Sequence, residues 1–256
     1  MSQKGFKVFA CVVLWLLFLW LLFPWLAAFW LSTSFDKEIR EIQVGNAKRQ
    51  FFLHIPSGLS DKTAVPVMFF LQGFDSPEVP SFDTRWLYSF IIEMSEKKGF
   101  IAVFPRGKRG SFPEVPGVLA WYPENIFENR YFIIKLCRYI QENYNIDHEK
   151  IIWAGYSNGA YMGAIELLGC PSSPFTHFYL NAGGYPYGIK EPLPRKKVFL
   201  SVGKSDEHNF HFVQILYKFL LKHNWPESSL KISLHNGAHV YSPDSFEEMW
   251  SFFFIP

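Results

Sequence analysis

Apolar and polar positions follow distinct rhythms along the chain, and each rhythm predicts a different element. Residues 8–31 do not alternate at all: VFACVVLWLLFLWLLFPWLAAFWL carries no charge. A helix of that length rises about 36 Å, enough to cross a hydrocarbon core of about 30 Å with some tilt. A membrane helix tolerates the kink expected at Pro24. After residue 38, short apolar runs take turns with stretches whose apolar residues recur every three or four positions. Runs 39–44 and 50–55, separated by Gly45-Asn46, predict an antiparallel hairpin. Runs 65–71 (VPVMFFL), 100–104, 150–154, 176–180, 197–202 and 230–234 predict strands, and an unbroken apolar run suits a strand covered on both faces. Helical spacing marks 85–97, 125–144, 158–168, 210–221 and 245–254. Residues 105–123, rich in Gly, Pro and Arg and without a period, predict a long loop.

Strands alternating with helices predict an α/β domain: a mostly parallel, eight-stranded sheet with helices on both faces, opened by the hairpin. The organisation is then a tail at 1–7, a transmembrane signal-anchor at 8–31, a polar linker at 32–38 and one domain at 39–256. Lys4 and Lys7 precede the apolar segment, which keeps the N-terminus cytoplasmic and exports the domain to the periplasmic or extracellular side. Cleavage as a signal peptide, giving a secreted protein, is the alternative, with Ala27, Ala28, Ser32 and Ser34 as small residues for the peptidase.

Composition narrows the partners. Hydrophobic residues at 49% against 19% charged exclude a disordered chain. Apart from Lys4 and Lys7, the remaining 23 basic residues equal the 23 acidic ones, so no cationic footprint for nucleic acid exists. Three cysteines exclude a disulfide scaffold. Cys137, on the buried face of its helix, reads as a packed thiol in preference to a partner for Cys170. Arg106, Lys108 and Arg109 read as a solvated loop. The sequence does not set an oligomeric state.

The chemical signal is Gly155-Tyr156-Ser157-Asn158-Gly159, a G-x-S-x-G motif with an apolar strand (KIIWA) running in and a helix (NGAYMGAIELL) running out. That context is what a nucleophile elbow requires. A serine hydroxyl needs a base to become nucleophilic. Asp206 and His239 follow later strands, in the chain order nucleophile, acid, histidine. Glu207 and Asp244 are rival acids, and His208, His211 and His235 rival histidines. Asp244 is expected to cap the last helix. All three favoured residues lie just past strand C-termini, the edge where open α/β sheets bind ligands. The backbone N–H groups of Phe74 and Asn158 are the expected oxyanion donors. Gln72, Trp121 and Tyr122 are candidate substrate-binding residues, with loop anchoring the competing role for Trp121 and Tyr122. His208 and His211 lack the spacing and partners of a metal site, and no cofactor is called for.

From about residue 48 onward the chain resembles the α/β-hydrolase fold, and more narrowly the polyhydroxybutyrate-depolymerase and feruloyl-esterase group. The matching pieces are DHEKIIWAGYSNGAYMG, FPRGKRG followed by Trp121, SVGKSDEHN and HNGAHVYSPD. Gln72-Gly73 stands where that group usually carries His-Gly. The resemblance implies a serine esterase with Ser157, Asp206 and His239 as its triad, acting on a small-molecule, lipid or polymer ester through an acyl-enzyme. A peptidase or acyltransferase on the same scaffold, and a non-catalytic membrane-tethered binding domain, are the alternatives.

Overall fold

The computed structural model describes residues 39–60, 63–76, 81–112, 115–121, 125–187 and 196–255. The chain divides after Ile39 into two units. All the elements below belong to the second, the first strand starting at its boundary. The tail, the apolar segment 8–31 and the linker 32–38 lie outside the described residues. Among the described residues no helix is long and apolar enough to cross a membrane.

The strands are β1 (Ile39–Val44), β2 (Ala47–His54), β3 (Val65–Leu71), β4 (Ile101–Pro105), β5 (Lys108–Phe112), β6 (Val115–Ala120), β7 (Ile146–Tyr156), β8 (His177–Asn181), β9 (Lys197–Gly203) and β10 (Leu230–His235). The helices are α1 (Phe82–Lys98), α2 (Ile126–Asn143), α3 (Asn158–Gly169), α4 (Glu207–Lys222) and α5 (Pro243–Phe254). Eight strands form one sheet in the order β1-β2-β4-β3-β7-β8-β9-β10. β2 pairs antiparallel with β4, and every pairing from β4 to β10 is parallel.

Side chains alternate across each strand, and the two faces of the sheet differ in chemistry. Val67, Phe69, Val103, Phe178, Leu180, Val198 and Leu200 point into one core with Phe132, Leu136, Leu167 and Leu216 of α2, α3 and α4. The intervening residues Phe70, Phe104, Tyr179 and Phe199 form an aromatic layer with Tyr88 of α1, Phe246 of α5 and Tyr241 just before α5. Much of the chain's phenylalanine is therefore core material. Both faces being covered explains why the central strands read as unbroken apolar runs. Cys137 and Cys170 are free and buried, and burial pushes the Cys137 thiol up to about 12.

Three sequence expectations change. The stretch 105–123 is not a plain loop: β5 and β6 pair antiparallel within it, and a backbone bridge joins Leu119 to Asp75. A short two-stranded ribbon with Gly in both strands and Pro116 in the second carries no period for the sequence to reveal. β7 extends to Ile146, four residues earlier than the apolar run, because its start is only partly buried. α4 begins at Glu207, three residues early, since its first turn is polar.

Candidate active site

Six strands run parallel, so their C-terminal ends share one edge, and the chain turns away there after β3, β7, β9 and β10. Ser157 follows β7 directly and stands at the N-terminus of α3 with φ 52° and ψ −115°. A positive φ is costly for a residue with a Cβ. Its surroundings enforce it: the Ser157 N–H donates to Asn181 O at 2.9 Å, and its carbonyl accepts from the N–H of Ala160 at 2.9 Å and Tyr161 at 3.1 Å. Strand and helix meet so closely at this turn that a Cβ on Gly155 would overlap the backbone of Gly159, and one on Gly159 would overlap the carbonyl of Leu71.

Asp206 follows β9 and caps α4, its Oδ1 accepting the Asn209 N–H at 3.1 Å. His239 lies between β10 and α5. The imidazole joins the other two: Nδ1 is 2.7 Å from Asp206 Oδ2, and Nε2 is 3.0 Å from Ser157 Oγ. A carboxylate only accepts, so Nδ1 carries the proton and Nε2 is left to accept from the serine hydroxyl. Burial pushes the Asp206 carboxyl up. Hydrogen bonds from His239 and from the Asn209 side chain and backbone outweigh that and hold its pKa below the usual carboxylate range. Tyr156 steadies the imidazole, its ring stacked on His239 at 5.3 Å between centroids and its hydroxyl donating to His239 O at 2.9 Å.

As the first residue of α3, Asn158 has a backbone N–H outside the intrahelical ladder, beside Ser157. Phe74 lies in the turn after β3, and a Cβ built on Gly73 would come within 3.2 Å of the Ser157 Cβ. That turn is fastened twice. Asp75 and Leu119 exchange backbone hydrogen bonds of 3.1 and 2.8 Å. The Trp121 indole N–H donates to Gln72 O at 3.1 Å, while the Trp121 backbone N–H donates to Asn158 Oδ1 at 2.6 Å.

A cavity of about 750 Å³ opens beside Ser157, walled by Phe74, Trp121, Ile126, Tyr161, Met162, Ile165 and Tyr187, with Asn158, His208 and Asn209 as polar members. Trp121 both lines it and anchors the loop. Gln72 does not line it: the residue is buried, and with its amide oriented to suit its neighbours it donates to Pro105 O and accepts from the Gly107 N–H, both at 3.1 Å. Burial against the β4–β5 connection makes Gln72 a support of the turn. Tyr122 lies outside the described residues. Of the rival residues, Glu207 is the exposed first residue of α4, and the Ser242 side chain caps α5 where Asp244 was expected to. His235 Nδ1 accepts the Gly237 N–H, and His208 faces the cavity without touching the row.

Sequence reasoning missed Asn209, Tyr156 and Tyr161. The readable signal for Asn209 was its place three residues after a helix-capping aspartate.

No protein-family model matches the chain, and no curated protein matches it in sequence. Solved structures do. A thermostable esterase superposes with a TM-score of 0.62 at 14% identity, over 85% of this chain and 64% of that one. The dipeptidyl peptidase 4 of Porphyromonas gingivalis gives 0.61 at 15%, over 84% and 34%. The Bacillus cereus carboxylesterase gives 0.61 at 19%, over 81% and 94%. The chain thus spans under two thirds of the first and about a third of the second. What they share with it at such identities is the α/β-hydrolase fold.

Proposed function

We propose that this chain is a serine hydrolase that cleaves carboxylic esters through an acyl-enzyme, with Ser157 as nucleophile, His239 as base and acid, and Asp206 as the residue that orients the imidazole. The observation that carries this reading is the continuous row from Ser157 Oγ through His239 to Asp206, with contacts of 3.0 and 2.7 Å. His239 Nε2 takes the hydroxyl proton as Ser157 Oγ attacks the ester carbonyl. Asp206 stays ionised and stabilises the imidazolium. The N–H groups of Phe74 and Asn158 receive the oxyanion, each donor being worth about 2.7–4 kcal/mol in comparable sites. The imidazolium then protonates the departing alcohol. Water, deprotonated by His239, attacks the acyl group and releases the acid and free Ser157.

The cavity supports an ester substrate over a charged one. Among the described residues that line it there is no Asp, Glu, Lys or Arg. A peptidase selecting a free N-terminal ammonium needs a carboxylate to pair with it, and Asp206 is already committed to His239. Esters of neutral, apolar acids fit such walls. The narrower likeness to polyhydroxybutyrate depolymerases and feruloyl esterases rests on the sequence motifs.

A panel of p-nitrophenyl esters set against peptide p-nitroanilides tests this reading. We expect turnover of the esters, lost in Ser157→Ala, with amide cleavage far slower. Preferential amide cleavage would assign a peptidase, and no turnover of either would assign a binding domain.

A further inference from the structure

The Asp206 carboxylate is gripped by a second side chain besides His239, one that the mechanism above does not use. Asn209 Nδ2 lies 3.0 Å from Asp206 Oδ1 and 3.1 Å from Oδ2, and the Asn209 backbone N–H adds a third contact to Oδ1 at 3.1 Å. Asn209 is buried, so no bulk water competes for those contacts. Its own carbonyl, Oδ1, accepts the Tyr161 hydroxyl at 3.0 Å.

We infer that Asn209 is a positioning residue for the proposed ester hydrolysis, fixing the Asp206 carboxylate in the plane His239 needs, and that Tyr161 fixes the Asn209 amide. This inference rests on the esterase reading and adds two residues to its machinery. A side-chain amide can lie either way round. Reversed, Asn209 would turn its carbonyl oxygen on two carboxylate oxygens, and like partial charges would drive the groups apart. The Tyr161 hydroxyl removes that choice, because a donor on the far side demands the oxygen there and leaves the NH₂ group for Asp206. Burial, with the Tyr187 and Asp206 charges, pushes the Tyr161 phenol up to about 12, so it remains a donor wherever the protein works. Asn209 Nδ2 also comes within 3.1 Å of His239 Nδ1. Since Nδ1 donates to Asp206, this approach reflects two donors converging on one carboxylate.

Without the amide, Asp206 Oδ1 keeps only the backbone N–H that caps α4, and the carboxylate is held against turning about its Cβ–Cγ bond by that N–H and His239 alone. Tyr161 also walls the cavity, so the outer end of this chain of hydrogen bonds meets whatever group occupies it. The titratable groups facing Asp206 are His239, His235 and Tyr161.

The test compares the full chain with Asn209→Ala and Tyr161→Phe in hydrolysis of p-nitrophenyl butyrate as a function of pH. Asn209→Ala retains the backbone cap, so a purely helix-capping role predicts no kinetic change. We expect kcat to fall about tenfold or more with KM within about twofold, the loss of charge-assisted hydrogen bonds being felt at the imidazole. The acid limb of kcat/KM should also move to higher pH, since a carboxylate stripped of donors binds a proton more readily and favours the imidazolium. Tyr161→Phe should act in the same direction and less. An Asn209→Ala protein that melts like wild type and keeps its kcat and acid limb would overturn the inference. Where Asn209→Ala fails to fold, Tyr161→Phe decides by the same two readouts. Absence of fluorophosphonate labelling at wild-type Ser157 would sink the esterase reading instead, independently of Asn209.

Discussion

At the scale of single residues, Asp206 carries two duties with one carboxylate. Oδ1 caps α4 and Oδ2 meets His239. The two separate by substitution. Asp206→Ala removes both, and loss of the cap alone costs about 0.5–2 kcal/mol. Asp206→Asn keeps an oxygen for the cap but turns an NH₂ group toward Nδ1, which selects the wrong tautomer. We expect Asp206→Asn, which keeps the cap but loses the carboxylate charge, to fold and to melt somewhat below wild type at neutral pH, yet lose on the order of 10⁴-fold in kcat. Acid should then narrow the stability gap. The folded-state pKa of Asp206 lies below the ordinary value, so the stability it contributes is complete above about pH 4. It is lost as pH falls through the folded value, whereas Asp206→Asn has no such loss. Thermal melts from neutral to acid pH measure this, and a gap that widens on acidification would contradict it. Ser157, Asp206 and His239 were legible in the sequence because each follows a strand in a turn with telling neighbours. Asn209 was missed because the polar first turn of α4, Glu207-His208-Asn209, lacks the apolar spacing that would have placed Asp206 at the start of a helix. Tyr156 stood in a variable position of the G-x-S-x-G motif, where nothing in the sequence tells that its ring would stack on His239.

At the scale of elements, the strands buried on both faces were read almost to the residue, and what the sequence hid were ribbons and polar ends. The β5–β6 ribbon is one such element, and it matters because Trp121, just beyond β6, bonds the turn that carries one expected oxyanion donor and the side chain of the residue that carries the other. Its indole holds the turn of Gln72 and its backbone holds the Asn158 side chain. Trp121→Phe keeps the backbone contact and most of the bulk while losing the indole N–H. One hydrogen bond of about 0.5–1.5 kcal/mol lost beside the oxyanion should lower kcat roughly three- to tenfold in p-nitrophenyl butyrate hydrolysis, with KM little changed. A rise in KM at constant kcat would instead make Trp121 a wall of the cavity and nothing more.

At the scale of the whole molecule, the parallel sheet brings distant parts of the chain to one edge. Residues 157, 206 and 239 meet because β7, β9 and β10 end at one edge, with only β8 between the first two, and the covered faces of the sheet hold those ends in place. The sequence foretold this convergence from the place of all three residues just past the C-terminal ends of predicted strands. It did not foretell that Phe70, Phe104, Tyr179 and Phe199 share one face of the sheet as an aromatic layer, since alternation within an unbroken apolar run is a matter of residue shape, to which hydrophobicity is blind. The central claim is that this convergence makes the Ser157 hydroxyl a nucleophile. Its most direct test is peptide mass spectrometry after exposing the folded chain and its His239→Ala variant to a fluorophosphonate. The expected result is a single adduct on Ser157 in the wild-type chain and its near absence in the variant. Equal labelling of Ser157 in both, or an adduct on another residue alone, would contradict the claim.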